Sequence, residues 1–176
     1  RAAGATEGAL RLVGILFPEV SNILFRRFAD GVGTYEALII PVGNEIGADR
    51  LLAIRNLLET SSAFGTRVIV RTPDRLTVEI AAQLVMTPKS NDAQKAAARG
   101  SARVSILRFI ERIPIGGTFV LNQLISDILD SHPQIFDAKI LVYRFDGEPM
   151  ILKNVQAKDD EVFVPDPEVQ QAIRIL

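Results

Sequence analysis

Residues 91–145 read NDAQKAAARGSARVSILRFIERIPIGGTFVLNQLISDILDSHPQIFDAKILVYRF, and this stretch decides the fold. Ile106, Phe109, Ile110 and Ile113 recur at i, i+3, i+4 and i+7, which is one face of a helix. Leu121, Leu124, Ile125 and Ile128 repeat the pattern after the loop Ile113-Pro114-Ile115-Gly116-Gly117-Thr118. Asn91 with Gln94 has the form of a capping box, which starts the first helix near Asp92, and Pro114 stops it. Gly100 lies inside that helix, where it costs about 1 kcal/mol against Ala. Two apolar stripes joined by a tight Gly-Gly turn must be buried against something. The strands on either side, Leu76 to Met86 and Ile135 to Phe145, are the available partners. In the first of them Val78, Ile80, Ala82 and Leu84 alternate with Thr77, Glu79, Ala81 and Gln83, which predicts one buried and one wet face.

Working outward toward the start, Thr6 to Leu16 is predicted as a helix with Thr6 as its cap, ended by Phe17-Pro18. Val20 to Phe28 and Tyr35 to Val42 read as strands around the turn Ala29-Asp30-Gly31-Val32-Gly33. Asn44 to Ala63 reads as a helix with Leu51, Ile54 and Leu58 on its apolar stripe, and Phe64-Gly65 closes it. Arg67 to Arg71 is a short strand before the break Thr72-Pro73-Asp74. Beyond residue 145, Asp146-Gly147 predicts a hairpin turn and Met150 to Val155 a returning strand. Val162 to Val164 is a further strand, and Asp166 to Leu176 is predicted as a final helix with Pro167 in its first turn. The expected fold class is α+β, in two small units, each a mostly antiparallel sheet covered by two helices. The expected boundaries are 1–72 for the first unit, 73–155 for the second and 156–176 for a C-terminal strand and tail.

A chain of 176 residues with 48% hydrophobic content has material for a real core. Its net charge of −1 leaves no basic surplus for phosphates, so no nucleic-acid partner is expected. Nor does any apolar run reach the length of a membrane span. With no cysteine, thiolate metal sites, disulfides and Cys nucleophiles are excluded. The opening RAAGATEGALRLV lacks Met and is too polar for a signal-peptide core, which reads as a piece of a longer protein.

The remaining motifs carry turn chemistry. Gly31-Val32-Gly33-Thr34 lacks the Lys and the spacing of a phosphate loop, and it joins two strands. Gly31, Gly33 and Thr34 are therefore expected as a structural turn, and so are Gly116, Gly117 and Thr118 between the two helices. Thr118 is a candidate cap for the second helix. His132, the single histidine, follows a helix and has no base or ligand partner in view. Asp159, Asp160 and Glu161 lack the twelve-residue pattern of a calcium loop. Arg26, Arg27, Arg67 and Arg71 are expected in ion pairs or partner contacts. No catalytic, metal or cofactor set emerges. An enzyme built on carboxylates such as Asp146, Glu148 or Asp159 ranks below a small-molecule-binding or regulatory α+β domain, and that ranks below a building block.

The order of motifs resembles the baseplate J-like family of contractile tails and injection machines. GATEGALRLVGILFPEVSNILFRRFADGVGTYEALIIPVG is similar to its helix and strand before a G-x-G-T turn and a strand ending in Pro. LLAIRNLLETSSAFGTRVIVRTPDRLTVEI is similar to its helix, a G-x-x-V-x-V-x-x-P stretch and the strand that opens a second unit. IPIGGTFVLNQLISDIL resembles its P-x-G-G-T turn and following helix. The chain departs from the pattern at His132-Pro133-Gln134-Ile135, where a Val-x-Gly-Val break is usual, and after Val164. The resemblance implies a non-catalytic wedge component of a tail baseplate, with no cofactor. The partners it implies are other copies and other wedge and hub proteins around a central hub.

Overall fold

The computed structural model describes Gly8 and residues 11–27, 30–42, 45–62, 65–167 and 172–176. They form two compact units, Arg1–Pro73 and Asp74–Leu176. The fold is α+β, and the larger sheet of each unit is mixed.

In the first unit β1 (Val20–Arg27) and β2 (Thr34–Pro41) pair antiparallel. Helix α1 (Ala48–Ser61) then carries the chain across to β3 (Arg67–Arg71), which pairs parallel with β2. A parallel neighbour requires such a crossover, because a tight turn only returns the chain antiparallel. Ala37, Ile39 and Val68 from the sheet meet Ile54 and Leu58 of α1 in one core. Val13, from the helical residues 11–16, and Phe17 complete it. Helix α1 starts at Ala48, later than the expected Asn44, with Gly47 at its N-cap and no side-chain acceptor there. Thr6, Phe28, Ala29, Asn44, Ala63 and Phe64, where several expected ends fall, lie outside the described residues.

In the second unit β4 (Asp74–Met86) is the central strand. Helix α2 (Asp92–Arg112), the short β5 (Thr118–Phe119) and α3 (Leu121–Asp130) lead to β6 (Ile135–Phe145), which runs antiparallel to β4. The capping box closes in both directions, with Gln94 N–H to Asn91 Oδ1 and Asn91 N–H to Gln94 Oε1 both at 2.9 Å. After β7 (Glu148–Pro149) and β8 (Val155–Gln156), β9 (Glu161–Pro165) and β10 (Ile173–Ile175) line up in parallel on the other side of β4. β9 covers Asp74 to Val78 and β10 covers Ile80 to Ala82. Phe119 is fully buried at the centre of the core, with its ring centroid 4.9 Å from Phe109, 5.4 Å from Phe145 and 5.5 Å from Phe163. Edge-to-face geometry of this kind is the favoured arrangement for aromatic pairs.

Two expectations change here. The final helix is absent among residues 172–176, where Ile173-Arg174-Ile175 forms a strand. Its period is two rather than 3.6: Ile173 and Ile175 pack on the core, and Arg174 reaches the opposite face. The returning strand Met150 to Val155 is reduced to β7 before it and β8 at its end. Ile151 to Asn154 between them are exposed, and Tyr143 donates its hydroxyl to the Lys153 carbonyl at 2.7 Å. Residues 156–176 contribute β9 and β10 to the main sheet of this unit, and Gln156 closes the small β5–β8 pair.

Candidate functional site

Gly31 and Gly33 have φ of +91° and +82°, a region that side chains with a Cβ avoid. Thr34 Oγ1 donates to the Gly31 carbonyl at 2.6 Å and accepts from the Asp30 N–H at 3.0 Å. These three residues hold the β1–β2 turn, and the Gly33 carbonyl also accepts from the Arg67 N–H at 3.0 Å. The second turn is held from a distance. A Cβ on Gly117 would sit 2.7 Å from the Pro114 carbonyl oxygen, and one on Gly116 would sit 3.1 Å from Asp159 Cα. Gln156 donates from Nε2 to the Gly116 carbonyl at 2.6 Å, and its Oε1 accepts from Thr118. Thr118 therefore belongs to β5 and does not cap α3. The first N–H of α3, on Leu121, donates instead to Asn154 Oδ1 at 3.1 Å. Neither Gln156 nor Asn154 was singled out from the sequence. Their partners lie more than thirty positions upstream, so no local pattern marks them.

Among the described residues, the face opposite the core in the larger sheet of each unit carries one buried carboxylate. Glu36 on β2 accepts from Arg26 Nη1 of β1 at 3.2 Å and from Arg71 Nε of β3 at 2.6 Å. Glu79 on β4 accepts from Arg144 Nη1 of β6 at 3.1 Å and from Arg174 Nη2 of β10 at 2.7 Å. Both Glu residues are 6% exposed. Glu79 was expected on a wet face, but the two guanidinium groups close over it, which removes the cost of burying an unpaired charge. Arg67 pairs with Asp30 at 3.3 Å.

Two surfaces of the second unit stand out. On β6 the register slips twice, leaving Leu141 and Phe136 as extra residues that β4 does not match. A bulge turns its extra side chain out of the ladder, and here Leu141 is 53% and Phe136 76% exposed. Ile151 and Leu152, in the segment after β7, are exposed as well. The other surface is an open trough of about 600 Å³ along α2 and α3. Ala97, Gly100, Ser101 and Val104 floor it. Arg112 is fixed beside it by Asp127 at 2.5 Å and by the Phe109 ring at 5.0 Å.

No protein-family model and no curated protein matches the sequence. Among solved structures, a chain in the cryo-EM structure of the anti-feeding prophage (AFP) baseplate, 6-fold symmetrised, matches with a TM-score of 0.62 at 15% identity. The chain shares its fold with a baseplate chain. The match covers 90% of this chain and 36% of that one, so the present sequence spans about a third of its length.

Within this baseplate-like fold the remaining candidates are occupied locally. Asp146, at φ +49° in the turn after β6, accepts from the Thr77 N–H at 2.8 Å and ties that turn to β4. Glu161 accepts from the Lys158 N–H at 2.9 Å and from its ammonium at 2.6 Å. The Lys158 hydrogen bonds hold the Glu161 carboxyl below the usual range and raise the Lys158 ammonium in return. His132 Nδ1 accepts from the Gln134 N–H at 3.2 Å, a turn contact. Asp146, Glu148 and Asp159 do not converge, and no group of three or more metal-ligating side chains occurs among the described residues.

Proposed function

We propose that this chain is a structural, non-catalytic component of a contractile injection machine, placed in a baseplate wedge. There it would make contacts with other copies and with neighbouring wedge and hub proteins in a ring around the hub. The observation that carries the reading is the likeness of fold to an anti-feeding prophage baseplate chain across 90% of the present sequence. The motif order from Gly31-Val32-Gly33-Thr34 to Ile113-Pro114-Ile115-Gly116-Gly117-Thr118 supports the narrower baseplate J-like assignment. The exposed Phe136, Leu141, Ile151 and Leu152 support an assembly role, because exposed large apolar side chains are typical of surfaces that become covered. The structural turns Gly31, Gly33, Thr34, Gly116, Gly117 and Thr118 serve the scaffold in this reading, and no cofactor is involved.

Electron microscopy of the native particle that contains the full-length protein tests this. Density for the chain in a ring at the base of a tail supports the wedge reading. A purified full-length protein that stays a small discrete species, with no such particle in the producing cells, overturns it. A thermal shift with a metabolite would then favour a ligand-binding domain.

A further inference from the structure

We propose that the free edge of β6 is a pairing surface for a second copy of this chain, joined antiparallel about Ala138. The proposal deepens the assembly reading above by naming one surface of it, and it rests on that reading. β6 has β4 along one side. On the other side β7 reaches only Arg144 and Phe145, and the Met150 N–H adds a bond to the Tyr143 carbonyl. Among the described residues no strand pairs with 135–142 on that side. The direction of the backbone groups there follows from β4. Leu84 donates its N–H to the Leu176 carbonyl at 3.2 Å, and the Ala82 carbonyl accepts from the Leu176 N–H at 2.9 Å. Residues directly opposite in an antiparallel ladder turn their backbone groups either toward each other or both away. Ala138 and Ile140, opposite Leu84 and Ala82, therefore turn theirs to the free edge. The Ala138 N–H there donates to its own Asp137 Oδ1 at 2.8 Å. An unfilled ladder edge of this kind is a template for an extended strand.

The residues along the edge name the occupant. Asp137 and Lys139 flank Ala138, and both are exposed. Neither forms an ion pair among the described residues. Two copies paired with Ala138 opposite Ala138 set Asp137 of each against Lys139 of the other, twice. The same register sets Phe136 against Ile140 and Leu141 against Ile135. Phe136 and Leu141 are the exposed residues that β4 leaves unmatched, so this one alignment gives both an apolar neighbour. Nearby alignments do not. Centring on Asp137 or on Lys139 sets like charges opposite each other, which destabilises a strand pair. Centring on Phe136 sets the two charges against Ile135 and Pro133, and centring on Ile140 sets them against Tyr143 and Leu141. Charges and bulges on an edge also turn away strands that lack the matching pattern.

The test uses the full chain and sedimentation velocity from about 10 μM to about 1 mM, because a ladder of about seven residues is smaller than a standard interface of about 1,600 Å². Wild type self-associates as concentration rises. Asp137→Lys and Lys139→Asp each weaken that at least about tenfold, since each puts two like-charge pairs into the ladder. Circular dichroism shows both variants folded. Mixed one to one, the two variants associate with each other, because every Lys then faces an Asp. The double swap, Asp137→Lys with Lys139→Asp in one chain, recovers self-association for the same reason. A wild type that stays monomeric across the range overturns the proposal. So does self-association that the single reversals leave unchanged, which puts the contact on another surface. A mixture as monomeric as its two parts overturns it as well. The baseplate reading is decided separately: density for the chain in a tail baseplate, beside any of these three results, would strike the strand pairing alone.

Discussion

Glu36 and Glu79 occupy the same place in two sheets that are wired differently. In each, the carboxylate lies on a central strand, opposite an arginine on the antiparallel neighbour: Arg26 in one, Arg144 in the other. On the parallel neighbour the second arginine is in register two residues further along, Arg71 beside Leu38 and Arg174 beside Ala81. Yet the antiparallel neighbour comes before the central strand in the first unit and after it in the second. The shared feature is thus a geometry of strands and not an order of segments. A mixed sheet holds the face opposite its core together with one acid clamped from both sides. The cores beneath differ. The first is mainly aliphatic around Ile39, Ile54 and Leu58, and the second is built on the edge-to-face rings around Phe119.

The largest effects should come from the cores. Phe119→Ala is expected to cost about 3–5 kcal/mol, and Ile54→Ala about 2–4 kcal/mol. Urea denaturation with hydrogen exchange read separately on β6 and β2 measures each. Equal losses would mean the aromatic cluster adds nothing beyond its volume. Next come the two turns. Gly117→Ala drives a Cβ into the Pro114 carbonyl and should cost about 2–3 kcal/mol by overpacking. Gly33→Ala finds room and pays only for its φ, about 1 kcal/mol. A reversed order in thermal melts would contradict the contact geometry.

Smaller effects probe the clamps. Glu36→Gln and Glu79→Gln should each cost about 1 kcal/mol, because the arginines are partly solvated and screened. Matching losses in the two units support one device used twice. A silent Glu36→Gln beside a costly Glu79→Gln would separate them. The smallest effect is alkaline. Burial pushes Tyr143 up to about 12 and also raises Tyr35. An unfolded tyrosine ionises near 10, so above that pH the unfolded chain loses a proton that folded Tyr143 keeps. Its contribution is whole below pH 10 and is lost as pH rises toward 12. Stability curves of wild type and Tyr143→Phe should diverge across that window, and curves that stay parallel would remove Tyr143 as the cause.

Long periodic elements were legible in the sequence. The span of α2 with its Asn91–Gln94 cap, the ends of β6 and the strand Arg67–Arg71 all follow from apolar spacing and local capping chemistry. Strand direction was not legible. Alternation in Val78, Ile80 and Ala82 says which face is buried, but it is silent on whether a neighbour runs parallel. Ile173-Arg174-Ile175 is too short for its period to outweigh the Pro167 start signal. The Glu79 clamp, the Asn154 cap and the Gln156 clasp are equally invisible, since each joins positions far apart in the chain.

The parallel pairing of β10 with β4 also sets a timetable. The first unit has all its strands once Arg71 has been made. The second must hold β4 open while α2, α3 and β6 form, because Ile80 waits for Ile173 and Asp74 for Glu161. Contacts so distant along the chain are slow to form. During synthesis one side of an apolar strand is therefore left unpaired, a hazard for aggregation. Arg75, Glu79 and Gln83, spaced along that strand, keep charge and polarity on it until Ile173 to Ile175 arrive.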